Sequence, residues 1–201
     1  MNRDAMLRTL ALPFVASVLL VGCQADPAPD LSQAPLAGAD IGGEFELIDR
    51  AGETVRWSDF DGQWRIVYFG YTFCPDICPV DVQRIVRGLN AFTEENPSAA
   101  TKIRPIFITI DPARDTPEVI GQFTDAFSED LVGLTGSEDQ IAQVADTFRI
   151  FYNRGAGPDA GYLMDHSTVT YLFGPDGQPV ATLPTDQGAQ AVAAELAKWV
   201  N

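Results

Sequence analysis

Two hydrophobic periods run along the chain, and each marks a kind of element. Apolar positions at 45–48 and 54–57 flank the polar stretch Asp49-Arg50-Ala51-Gly52-Glu53, which predicts a β-hairpin. Residues 65–70 form a short apolar run of the kind found in strands buried on both faces. Val82, Ile85, Val86 and Leu89 recur at helical spacing and predict a helix over 79–92. A second apolar strand, 103–110, ends at Asp111-Pro112. Pro117 then opens a helix with Val119, Ile120, Phe123 and Phe127 on one face. A weak strand follows at 131–134. Ser137 caps a helix bearing Ile141, Val144, Ala145 and Phe148. Strands at 168–173 and 180–183 meet at the turn Gly174-Pro175-Asp176-Gly177, and Val192, Leu196, Trp199 and Val200 stripe a last helix.

The order is hairpin, β-α-β-α-β-α, hairpin, α. Strands alternating with helices give parallel pairs covered by helices, and the closing hairpin adds antiparallel strands. The expected fold is α/β and thioredoxin-like, a central mixed sheet flanked by helices with an N-terminal β-hairpin. A flavodoxin-like sheet fits less well, because the last two strands form a hairpin.

The first 40 residues read differently. Arg3 and Arg8 precede an apolar run over 10–21, too short and wrongly flanked for a transmembrane helix. The run ends in Leu20-Val21-Gly22-Cys23, which resembles a bacterial lipobox, with cleavage before Cys23 and lipid on its sulfur. An ordinary signal peptide with an incidental cysteine is the competing reading. The expected organisation is a lipoprotein signal peptide at 1–22, a lipidated terminus and flexible tether at 23–40, rich in Pro, Ala, Asp and Gly, and the folded domain at 41–201. That places the domain on the extracytoplasmic, periplasmic side of a bacterial cell envelope.

Composition narrows the partners. The net charge of −15 disfavours nucleic acid, which needs a basic face. It also repels anionic lipid, so membrane attachment needs an anchor such as the one at Cys23. With 46% hydrophobic residues, the chain builds a core without disulfide staples.

Three cysteines and one histidine are present, and with Cys23 acylated two thiols remain. Phe73-Cys74-Pro75-Asp76-Ile77-Cys78-Pro79 runs from the first buried strand into a helix, at the carboxyl end of a parallel strand, where ligands gather. Cys78 is expected near the N-cap, where free N–H groups favour thiolate. Three residues separate the cysteines, where redox thioredoxins have two. The spacing suits a shared metal ion and still permits a disulfide. Met164-Asp165-His166-Ser167 precedes the strand at 168–173, near where thioredoxin-like oxidoreductases carry a proline; the nearest upstream proline here is Pro158. His166 is therefore expected opposite the thiols. Two sulfurs and an imidazole suit copper, as Cu(I) and also Cu(II). Zinc would need a fourth ligand, for which Asp76 or Asp165 is at hand.

Thr72-Phe73-Cys74-Pro75-Asp76-Ile77-Cys78-Pro79, Ile110-Asp111-Pro112-Ala113-Arg114-Asp115-Thr116-Pro117 and Asp165-His166-Ser167 together resemble the signature of the Sco/SenC family. The resemblance spans the domain from about residue 41. It implies a membrane-anchored thioredoxin fold that binds copper through Cys74, Cys78 and His166. It also implies delivery of that copper to the Cu_A centre of cytochrome c oxidase subunit II. Some relatives are described as thiol–disulfide reductases, which would make Cys74 and Cys78 a redox pair. A thiol peroxidase is the third reading, since Thr72 lies two residues before Cys74, one short of the usual spacing. The 111–117 loop is read first as structural and second as a partner-facing rim.

Overall fold

The computed structural model describes residues 28–156 and 161–200. Cys23, the leader and Pro158 lie outside the described residues. A five-stranded sheet holds the molecule together, in the spatial order β5, β4, β3, β8, β9. Strands β3 (Trp64–Gly70), β4 (Ile103–Thr109) and β5 (Val132–Leu134) run parallel. β8 (Thr170–Phe173) pairs antiparallel with β3, and β9 (Pro179–Leu183) pairs antiparallel with β8. The mixed, thioredoxin-like sheet expected from the element order is the one that forms.

β3 sits at the centre and is buried along its whole length. Alternation splits its side chains between two layers. Tyr68 and its register partner Phe107 face α1 (Ile77–Glu95) and Phe123 of α2 (Pro117–Asp125). Phe69 faces a ring cluster of Phe45, Trp57, Phe148 and Phe173, with centroids 5.1 to 6.3 Å apart. α4 (Ala189–Trp199) lies against α1, and Gly88 permits the approach. A Cβ at Gly88 would lie 2.6 Å from Val192 Cβ. α3 (Glu138–Thr147) starts at the expected Ser137, whose hydroxyl accepts from Gln140 N while Gln140 Oε1 accepts from Ser137 N. The N-terminal hairpin, β1 (Glu46–Ile48) with β2 (Thr54–Arg56), also forms as read.

Two features depart from the sequence reading. Residues 31–40, expected within the flexible tether, lie against the domain. Ala34 is buried, Leu36 N donates to Val180 O at 3.0 Å, and Arg149 holds Asp40. Leu31, Leu36 and Ile41 supply the apolar contacts that the Pro- and Ala-rich composition hides. The folded part thus begins about ten residues earlier than the boundary at 41.

The second is a small ribbon outside the main sheet. β6 (Tyr152–Arg154) pairs antiparallel with β7 (Met164–His166), placing Tyr152 opposite His166. Strands of three residues are too short for a period-2 signal to register.

Candidate metal centre

Cys74 and Cys78 belong to the β3–α1 junction. Pro79 lies in the first turn of α1, where its missing N–H costs no intrahelical bond. Cys78 lies near the N-cap, as expected. Asp76 is the N-cap itself, and Cys78 is the second helical residue, fully buried. Its sulfur rests against the end of β3, where a Cβ on Gly70 would lie 3.0 Å from Cys78 Sγ. Glycine at position 70 therefore makes room for the thiol.

The two thiols differ in consequence. Burial pushes the Cys78 pKa well above the ordinary thiol value, against weaker opposing hydrogen bonds. Cys74 is half-buried, and burial works against its thiolate as well. Main-chain hydrogen bonds from Cys78, Asp76 and Ile77 outweigh that burial and bring its pKa below the ordinary value. Cys78 N lies 3.4 Å from Cys74 Sγ. The helix N-terminus thus favours thiolate at Cys74, where the sequence reading put the effect at Cys78.

His166 comes to the thiols from the ribbon. Its Nε2 lies 3.3 Å from Cys78 Sγ. Its Nδ1 donates to the Ser167 carbonyl at 2.8 Å, so the Nε2 lone pair points at the sulfur. Burial lowers the His166 pKa and keeps the ring neutral, the form a metal needs. Tyr68 and Tyr71 flank the ring edge-to-face at 6.4 and 6.0 Å. Cys74, Ile77, Met164 and His166 line one open cavity of about 410 Å³. Among the described residues no three Cys, His, Asp or Glu side chains already form a closed metal cage. Cys78 and His166 are in contact, and Cys74 stands beside them at the opening. Two sulfurs and a neutral imidazole fit Cu(I) and accept Cu(II).

The remaining expectations resolve by contact. Asp76 and Asp165 are both exposed, and only Asp165 reaches the rim of the cavity. Thr72 does not serve Cys74 as a peroxidase threonine would. Its hydroxyl donates to Asp115 at 2.6 Å and its N–H to the same carboxylate at 3.0 Å.

Residues of the 111–117 loop, read first as structural, support the site together with Tyr162 and Asp81, which the sequence did not flag. Asp115 is fully buried and also accepts from the Thr109 hydroxyl at 2.6 Å, so it ties the cysteine loop to the end of β4. Asp111 accepts from the Tyr162 hydroxyl and from Arg114 Nε, both at 2.6 Å, and Arg114 Nη1 donates to Tyr162 O. The 111–117 loop therefore brackets the site, with Asp115 on the cysteine side and Asp111 and Arg114 on the histidine side. Behind the thiols, the Tyr68 hydroxyl meets the buried Asp81 at 3.3 Å. The Asp-x-x-x-Asp spacing after a strand was the available signal for the bracket. Asp81 looked like any polar position on an amphipathic helix.

Comparison with known proteins agrees with this geometry. A family model described as SCO1/SenC matches residues 33–201. The chain is 36% identical over 158 residues to the Homo sapiens protein SCO1 homolog, mitochondrial, covering 78% of this chain and 52% of that protein. It is 41% identical over 156 residues to the Bos taurus protein SCO2 homolog, mitochondrial, covering 76% and 55%. The chain spans about half the length of these curated relatives. Among solved structures, Bradyrhizobium japonicum ScoI with copper bound superposes with a TM-score of 0.72 at 34% identity, over 80% of this chain and 99% of that one.

Proposed function

The chain belongs to the SCO1/SenC family, and on that premise we propose that it is a copper carrier. It binds one copper ion through Cys74, Cys78 and His166 and passes it to the Cu_A site of cytochrome c oxidase subunit II. The observation that carries the reading is the 3.3 Å contact of His166 Nε2 with Cys78 Sγ. The only imidazole in the chain is held in the right tautomer against the buried thiol. The copper held by the Bradyrhizobium japonicum relative supports the choice of metal. Half-buried Cys74 at the mouth suits transfer by ligand exchange to a partner's donors.

The test is a copper titration of the reduced chain, wild type against His166→Ala. The variant is expected to lose at least about 100-fold in copper affinity and to keep formation of the Cys74–Cys78 disulfide. Unchanged affinity would defeat the carrier reading.

A second reading, thiol–disulfide reduction, is favoured by the asymmetry of the thiols. The Cys74 thiolate would attack a partner disulfide and release one partner thiolate. Cys78, once deprotonated, would then attack Cys74 Sγ and release the second. The partner leaves reduced and this chain leaves oxidised. The same site serves both readings, because Cu_A cysteines must be reduced before metal enters. Anchoring through lipid on Cys23, after removal of residues 1–22, would hold the domain on the periplasmic side of the envelope. Among the described residues no helix is long and apolar enough to cross a membrane.

A further inference from the structure

Met164 is the only methionine beyond residue 6 in the chain. It stands at the opening that Cys74 and His166 also line. Two features of the fold put it there. Residues 164 and 166 are two apart on β7, so their side chains share a face. The Tyr71 ring meets His166 edge-to-face at 6.0 Å, which sets this end of the ribbon against the cysteine loop.

Resting on the copper reading above, we infer that the Met164 thioether is an auxiliary Cu(I) donor at the mouth of the site. Cys78 is fully buried and in contact with His166, so an ion leaves past Cys74, His166 and the residues of the opening. A thioether is soft and neutral. It selects Cu(I) over Cu(II) and carries no proton that must leave on binding. A weak neutral donor steadies the ion as it moves outward without trapping it. The step is ligand exchange: a Cu–S(thioether) bond forms as another copper–donor bond lengthens, and no electron or proton moves. Packing alone does not require sulfur here, because leucine fills the same volume.

The experiment uses the full chain, unlabelled and labelled with selenomethionine, loaded with Cu(I), together with Met164→Leu. X-ray absorption at the copper edge is expected to show a Cu–Se path in the labelled wild type and none in labelled Met164→Leu. Competition titrations are expected to show Cu(I) affinity falling about three- to tenfold in Met164→Leu, with Cu(II) affinity within about twofold of wild type. Absence of the Cu–Se path, or an equal fall for both valences, would overturn the inference and leave the Cys–Cys–His reading standing. If wild type and His166→Ala bind copper equally, the carrier reading itself has failed.

Discussion

The two halves of the candidate site rest on different foundations. Cys74 and Cys78 sit where a central strand, buried at every residue, turns into the longest helix. His166 sits on a ribbon of two three-residue strands outside the main sheet, flanked by Phe151 and Leu163, which are 65% and 52% exposed. The thiols inherit their position from the core. The imidazole is held by polar bonds at the ribbon, chiefly Arg114 and Asp111 on Tyr162 and the Ser167 pair with Phe151, and by the rings of Tyr68 and Tyr71 beside it. A segment held by few apolar contacts opens at lower free energy than the core does. Copper affinity should therefore be most sensitive to the ribbon, and stability to the cysteine side.

The strongest way to break the cysteine side is Asp115→Ala. It strips the acceptor from the Thr72 N–H and from the Thr72 and Thr109 hydroxyls in a buried place. Each orphaned donor costs free energy, and the expected loss of unfolding stability is about 3–5 kcal/mol, measured by denaturant titration. A loss under about 1 kcal/mol would mean that the loop is held by something else.

The pH dependence of copper binding sharpens the contrast between the thiols. The raised pKa of Cys78 keeps it protonated through neutral pH, so copper must displace that proton. Affinity is expected to rise about tenfold per pH unit near neutrality and to fall as pH drops. His166, whose pKa is lowered, competes for protons only below its ordinary value of 6.5. Cys74, also lowered, competes for protons only at lower pH than an ordinary thiol does. Isothermal titration in buffers of different ionisation enthalpy reads the proton release directly. A flat profile would place the Cys78 proton elsewhere.

Most of this architecture was legible as pattern. Strand β3, the α1 stripe, the Ser137 cap and the 174–177 turn announce themselves through apolar period and turn residues, and a mixed sheet flanked by helices follows from their order. The scarcity of histidine and cysteine pointed to Cys74, Cys78 and His166. What stayed hidden was long-range or short-period. The ribbon has too few residues to show alternation. Asp115 finds Thr72 across 43 residues, and Tyr162 finds Asp111 across 51. The reversal of thiol roles was hidden for another reason. A cysteine near a helix N-terminus reads in the sequence as thiolate at Cys78, and only the packing of Gly70 and Tyr68 around that sulfur shows that burial wins there.

A matched pair of variants with smaller effects tests the comparison itself. Tyr162→Phe removes a hydroxyl that donates to Asp111 at 2.6 Å on the histidine side. Thr72→Val removes one that donates to Asp115 at 2.6 Å on the cysteine side. Each change keeps the shape of the side chain and deletes a hydrogen bond to a carboxylate, so each should cost about 1–2 kcal/mol locally. The Tyr162 ring stays stacked between Arg114 at 3.6 Å and Arg154 at 3.9 Å, which limits the damage to ribbon position. If the ribbon is the looser half, Tyr162→Phe should lower copper affinity severalfold while moving the global unfolding midpoint little, because the deleted bond is one that breaks in a local opening below the free energy of global unfolding. Thr72→Val should show the reverse, a clear loss of unfolding stability and a smaller change in affinity. The ratio of the two effects discriminates, since scaffold noise shifts both variants alike. Equal ratios in the two variants would mean that ribbon and core open together and that the difference in their support has no consequence for the metal.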